Sequence, residues 1–237
     1  NHPYGYTSFY YDITDKIKWN EKNIIAVQVK NEGANSRWYA GSGINRHVWL
    51  IETNPIHVAQ WGNYITTPEV NVSSAKVNIK TRVENETGVS ATITLLNKII
   101  NAKGVEVAKT SSKQNINAKG EFEFNENAIV KSPKLWSTEN PNLYKAITEI
   151  YVDGKLSDHV ETKFGIRNIS FDAVNGFMLN NKPVKLKGGC FHIDNGPLGA
   201  RSFDRRNTSR STHERKRLQC NTLFAQSSRT CISGSLR

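Results

Sequence analysis

Apolar residues recur at every second position through residues 66–165, and that period constrains the fold more than any other feature of the chain. Around residues 75–84, Val77, Ile79 and Val83 share one parity with Thr81, while lysine, asparagine, arginine and glutamate fill the other. Ile93 and Leu95 alternate with Thr92 and Thr94, and Phe122 and Phe124 alternate with glutamates. Successive side chains of a strand point to opposite faces, so the pattern predicts strands with one buried face. Turn signals separate the runs: Glu86-Thr87-Gly88, Ala102-Lys103-Gly104, Ala118-Lys119-Gly120 and Asp153-Gly154. Short strands at this spacing indicate a mainly β fold, with an immunoglobulin-like β-sandwich over residues 66–165. No long segment carries the 3.6-residue period of a helix.

The flanking segments differ in composition. Residues 1–62 hold four of the five tryptophans, Trp19, Trp38, Trp49 and Trp61. The aromatic run at residues 9–15 and the β-branched run at residues 24–29 predict strands of a second, partial sandwich. The boundary between the two is expected near Thr66-Thr67-Pro68. Beyond Phe164-Gly165, two short strands are expected around Asn180-Asn181, because asparagine tolerates the positive φ of a tight hairpin. Residues 184–188 then read as a strand opening onto a loop. From residue 205 onward neither period continues, and serine, arginine and threonine dominate. Residues 205–237 bury too little apolar surface to offset ordering entropy and are expected to be disordered.

A net charge of +11 on 237 residues ordinarily suggests a nucleic-acid partner. Its distribution argues against one. Residues 205–237 hold eight Lys/Arg and one acidic residue, a net +7, which leaves only +4 for the rest. Two of the three cysteines, Cys220 and Cys231, also lie there, and only Cys190 precedes them. No disulfide framework, cysteine-built metal cluster or cofactor site is therefore expected. No apolar run reaches the roughly 18 residues that suggest a membrane-spanning helix. The first residues lack the basic and apolar regions of a signal peptide, but they also lack an initiator methionine, so the compartment stays open, a periplasmic or secreted parent included.

Four motifs carry a resemblance. Arg37-Trp38-Tyr39-Ala40-Gly41-Ser42-Gly43-Ile44-Asn45-Arg46-His47-Val48-Trp49-Leu50 resembles a signature of the jelly-roll sugar-binding domain of glycoside hydrolase family 2, the β-galactosidase, β-glucuronidase and β-mannosidase family. Leu135-Trp136-Ser137 with Asn140-Pro141-Asn142-Leu143-Tyr144 resembles the element that ends its immunoglobulin-like domain, with Thr138 where proline is usual. Phe164-Gly165-Ile166-Arg167 and the stretch 176–188 resemble the segments leading into its (β/α)8 barrel, with Asn181 where glycine is usual. All four stand in the family's order. The resemblance implies a C-terminal part of the jelly roll at residues 1–62, the immunoglobulin-like domain at 66–165 and the start of the catalytic barrel at 166–204.

The resemblance also nominates site residues. Phe191-His192-Ile193-Asp194 matches the end of the family's first barrel strand, where His192 and Asp194 would hydrogen-bond substrate hydroxyls. Ile193 departs from the polar residue usual there. Arg37 and Trp38 are candidates for a sugar or domain-interface contact, although Trp38, Trp49 and the flanking glycines equally serve as structural residues of a tight turn. Retaining hydrolysis needs two carboxylates about 5–5.5 Å apart; the family's pair belongs to later barrel strands, and no residue here matches either, so no catalytic residue is assigned. Read one base out of frame, the codons for residues 220–228 accommodate Ala-Ile-Arg-Ser-Ser-His-Asn-Pro-Pro, which resembles the end of the second barrel strand. A frameshift near Arg205 is therefore expected. The functional reading is a fragment of a retaining glycoside hydrolase for terminal β-glycosides, inactive by itself, with a carbohydrate partner and an oligomeric parent left open. The alternative is a non-catalytic carbohydrate-binding sandwich.

Overall fold

The computed structural model describes residues 2, 7–30, 43–44 and 47–186. Among them, residues 50–186 form one compact unit, and those before residue 50 belong to another. The larger unit opens with seven strands: β1 (Ile56–Val70), β2 (Ser74–Asn85), β3 (Ala91–Ile100), β4 (Glu106–Ile116), β5 (Gly120–Lys131), β6 (Tyr144–Val152) and β7 (Lys155–Phe164). They pair antiparallel into a three-stranded sheet, β1-β2-β5, and a four-stranded sheet, β4-β3-β6-β7. Together these two sheets make an immunoglobulin-like sandwich, as the period-two pattern predicts. All four expected turns connect strands, and Asp153 and Gly154 take positive φ values of 50° and 76°, as a two-residue hairpin requires.

Alternation explains the core. Along β2, Ala75, Val77, Ile79, Thr81, Val83 and Asn85 are buried, and the residues between them are not. Two apolar clusters fill the space between the sheets. One joins Ile56, Val58, Val83, Phe124, Ile93, Leu95, Ile116 and Ile150. The other joins Ala75, Val77, Ile79, Ala128, Val130, Ile99, Tyr144 and Ile166. Burying each valine, leucine, isoleucine and phenylalanine side chain of these clusters contributes about 1.5–3 kcal/mol.

Between the clusters runs a polar layer with one residue from each of the seven strands. Asn63 donates from Nδ2 to Thr148 Oγ1 (3.1 Å) and Thr162 Oγ1 (3.3 Å), and its Oδ1 accepts from Thr81 Oγ1 (2.9 Å). Thr148 Oγ1 donates to Asn97 Oδ1 (2.7 Å), and Asn97 Nδ2 donates to Glu126 Oε2 (2.9 Å), which also accepts from Thr110. Asn97, Thr148 and Thr81 are almost fully inaccessible, and Glu126 is buried with Oε1 unpaired. Asn63 reaches the layer because β1 bulges between Val58 and Asn63. Trp61 there has φ 55°, and a Cβ at Gly62 would stand 2.7 Å from Ala59 O and 2.8 Å from Arg82 O. Only glycine fits that approach.

After the sandwich come β8 (Ile169–Asp172), β9 (Gly176–Leu179) and β10 (Lys182–Pro183), a separate antiparallel meander. Asn180 and Asn181 take φ values of 51° and 61°, as expected for the tight hairpin joining β9 to β10.

Three expectations need correction. The boundary near residues 66–68 falls inside β1, which begins at Ile56 and pairs with β2 from there; the bulge at residues 59–62 breaks the alternation and hides the strand's first half. The runs at residues 9–15 and 24–29 are not strands. The one element within them is a 3-10 turn (Thr14–Lys16) that begins in the first run, and Ile24, Ile25, Val27 and Val29 are exposed. Strand propensity becomes a strand only where a neighbour supplies backbone partners, and none does so among the described residues. Of the strand expected at 184–188, residues 184–186 are described and lie beyond the last strand, β10, which ends at Pro183, with one further bond from Val184 N–H to Phe177 O (2.9 Å). No helix among the described residues is long and apolar enough to cross a membrane.

Replacing Asn97 by alanine leaves Glu126 Oε2 with Thr110 alone and Thr148 Oγ1 without an acceptor in the core, at about 1–3 kcal/mol per under-satisfied group. Urea unfolding is expected to show a loss of about 2–4 kcal/mol for Asn97→Ala, against about 0.5–1.5 kcal/mol for Ile79→Val, which removes one methylene.

Candidate functional site

His192, Asp194, Arg37 and Trp38 lie outside the described residues, as do residues 205–237. The structure does describe the segments that precede His192 in the sequence, up to residue 186. Two of the sequence motifs fold onto one another there. Trp136 N–H donates to Ile166 O (2.8 Å), and its ring lies under the Arg167 guanidinium, 5.0 Å from centroid to Cζ. Gly165 lets this happen: a Cβ at that position would stand 2.8 Å from Trp136 Cβ. Asn142 Nδ2 donates to Leu135 O (2.9 Å), and Tyr144 Oη accepts the Lys134 N–H (2.8 Å). The meander docks on the same corner, for Asn180 Nδ2 donates to Trp136 O (2.9 Å) and Thr67 Oγ1 donates to Arg167 O (2.8 Å). These motif residues position backbone. None presents an unpaired acid or base for chemistry.

Two clusters of titratable groups stand elsewhere on the sandwich. On the outer face of the four-stranded sheet, Glu149 accepts from Lys98 Nζ and Tyr151 Oη, both at 2.9 Å. His159 lies 3.9 Å from Glu149 and 3.8 Å from Glu161, which pairs with Lys145 at 2.9 Å. Burial works to raise the Glu149 pKa, but the hydrogen bonds from Lys98 and Tyr151 outweigh it and hold the carboxyl below its ordinary value. The Lys145 hydrogen bond lowers Glu161 likewise, and the Glu149 hydrogen bond raises Lys98. Cross-strand charge pairs of this kind stabilise the sheet and need no ligand.

The second cluster joins His57, Glu84 and Glu86, whose ligand-type atoms lie within 4.8 Å of one another. No metal was expected from the cysteines, and the sequence hides this group. Its members are 27 and 29 positions apart from the histidine, and only the register pairing His57 with Glu84 across β1 and β2 brings them together.

The fold is that of an immunoglobulin-like β-sandwich followed by a short meander, and the comparisons identify the family. Residues 56–167 match the model for glycosyl hydrolases family 2. A β-galactosidase, BoGH2A, of Bacteroides ovatus is 42% identical over 220 residues, 92% of this chain and 26% of its own length. A β-glucuronidase of Bacteroides fragilis is 30% identical over 212 residues, 84% of this chain and 30% of its own. The crystal structure of a family 2 member from Bacteroides cellulosilyticus superposes with a TM-score of 0.75 at 40% identity, over 79% of this chain and 24% of that one. The chain belongs to glycosyl hydrolase family 2. It spans about a quarter of the length of the Bacteroides ovatus relative.

Because Glu149 and Glu161 ionise more easily folded than unfolded, the stability they add is present above about pH 4.3, the ordinary glutamate value, and is lost as pH falls through their lowered folded values. Thermal melts of Glu149→Gln are expected to lie below those of the parent chain at neutral pH and to converge with them under acid.

Proposed function

We propose that the chain is the accessory and lead-in portion of a retaining glycosidase for terminal β-glycosides, of β-galactosidase type, and that it does not turn over substrate by itself. The observation that carries this is the corner at Trp136, Gly165 and Arg167, where two motifs of the family resemblance fold onto one another, ahead of Phe191-His192-Ile193-Asp194 in the sequence. A barrel strand ending there would aim His192 and Asp194 at the substrate's hydroxyls. The 42% identity to a protein named as a β-galactosidase favours β-galactosides over β-glucuronides, where the named relative is 30% identical. The domain limits 1–62, 66–165 and 166–204, with the first corrected at Ile56, belong to the same proposal, as do sugar or interface contacts by Arg37 and Trp38.

Turnover requires an acid/base and a nucleophilic carboxylate about 5–5.5 Å apart on one sugar. The cluster of Glu149 and Glu161 does not offer that pair, because Glu149 is held by Lys98 and Tyr151 and Glu161 by Lys145. The purified chain is expected to leave aryl β-galactosides, β-glucuronides and β-mannosides uncleaved. Release of the aryl group above the uncatalysed rate would overturn the proposal, and sugar binding without turnover would favour the binding-module alternative. The frameshift is part of the proposal. The gene around codon 205 is expected to differ from an in-frame barrel by one extra or two missing bases, and an uninterrupted frame there would refute it.

A further inference from the structure

The cluster at the start of the sandwich has the composition of a metal centre. His57 sits in β1 directly across from Glu84 in β2, and Glu86 follows in the turn after β2. The imidazole is mostly buried, with 12% of its side chain exposed, and Glu84 is partly so at 31%. His57 Nδ1 lies 3.0 Å from Asn54 O. A carbonyl only accepts, so Nδ1 carries the proton and donates. Nε2 is thereby left as the lone-pair nitrogen and is turned toward the carboxylates. A carbonyl holding the far nitrogen is the arrangement that fixes the tautomer and ring of metal-bound histidines.

Charge balance points the same way. Glu84 and Glu86 bring two negative charges, and among the described residues no lysine or arginine pairs with either carboxylate. Lys119, in the turn before β5, donates to the main-chain carbonyl of Glu86 at 2.5 Å. His57 Nε2 to Glu84 Oε2 is 3.7 Å, too long for a hydrogen bond. Two ligands on a tetrahedral zinc ion, at about 2.0–2.2 Å from the metal, stand about 3.4 Å apart, which a small rotation of the Glu84 carboxyl would supply.

We propose that His57 Nε2 and the carboxylates of Glu84 and Glu86 form a zinc site, completed by water. One imidazole nitrogen with two carboxylate oxygens suits zinc, whereas calcium and magnesium favour all-oxygen sets. The site is a structural clasp. Pro55 O accepts the Glu86 N–H (2.8 Å), Asn54 Nδ2 donates to Ser157 O (2.7 Å), and the Val58 N–H donates to Asp158 Oδ2 (2.8 Å). A zinc ion would join this preorganised incoming segment to the turn between β2 and β3. The inference does not depend on the glycosidase reading.

The test is calorimetric titration of the full chain with zinc chloride, after iodoacetamide has capped Cys190, Cys220 and Cys231. One equivalent of zinc is expected to bind with a rise in melting temperature. That equivalent should disappear in His57→Gln and weaken by about tenfold or more in Glu86→Gln. Glu86 is exposed, so this variant keeps the fold and the test stands even if His57→Gln unfolds. Cobalt in place of zinc should give tetrahedral absorption bands that vanish with Glu86→Gln saturation lost at the same metal concentration. Zinc uptake absent from the parent chain, or identical in the parent and Glu86→Gln, would overturn the site.

Discussion

The polar layer through the middle of the sandwich is the constraint on which the rest of the structure depends. Asn63, Thr81, Asn97, Thr110, Glu126, Thr148 and Thr162 hydrogen-bond in one connected network that touches every strand of both sheets. Apolar burial alone tolerates a two-residue slip of a strand, because each side chain stays on its face. The network does not. Sliding β2 by two residues would carry Thr81 into one of the apolar clusters and leave Asn63 without it, at about 1–3 kcal/mol per unpaired group. The layer thus sets the register of the sandwich, and the two clusters supply the stabilisation.

With register set, both ends of the sandwich become defined. At one end, Asn54, Ser157 and Asp158 clasp the incoming chain and bring His57 opposite Glu84. At the other, Trp136 lies against Gly165 and beneath Arg167 while Asn180 pins the meander to its carbonyl. The sandwich built this way falls within residues 56–167, the span that the family model matches, in relatives several times the length of this chain.

Much of this was legible beforehand. The alternation in β2, β3 and β5, the four turns and the Asn180-Asn181 hairpin all depend on local preferences that a strand or turn expresses by itself. That the chain from Ile56 already belongs to this sandwich was not legible, because the bulge at Trp61-Gly62 breaks the period across β1. Residues 24–29 misled in the opposite direction. Their composition suits a strand, but β-structure is a property of pairs, and a single segment does not disclose its partner.

The sequence by itself determined the class of fold and, through four motifs in order, the family, since side-chain parity and motif order are one-dimensional properties. The tertiary structure alone decided that Asn97 and Glu126, polar residues at apolar positions of the alternation, meet inside the core rather than weaken it. It alone placed His57 against Glu84 and Glu86. Contacts between residues far apart in the chain depend on strand order and register, and no local preference encodes either.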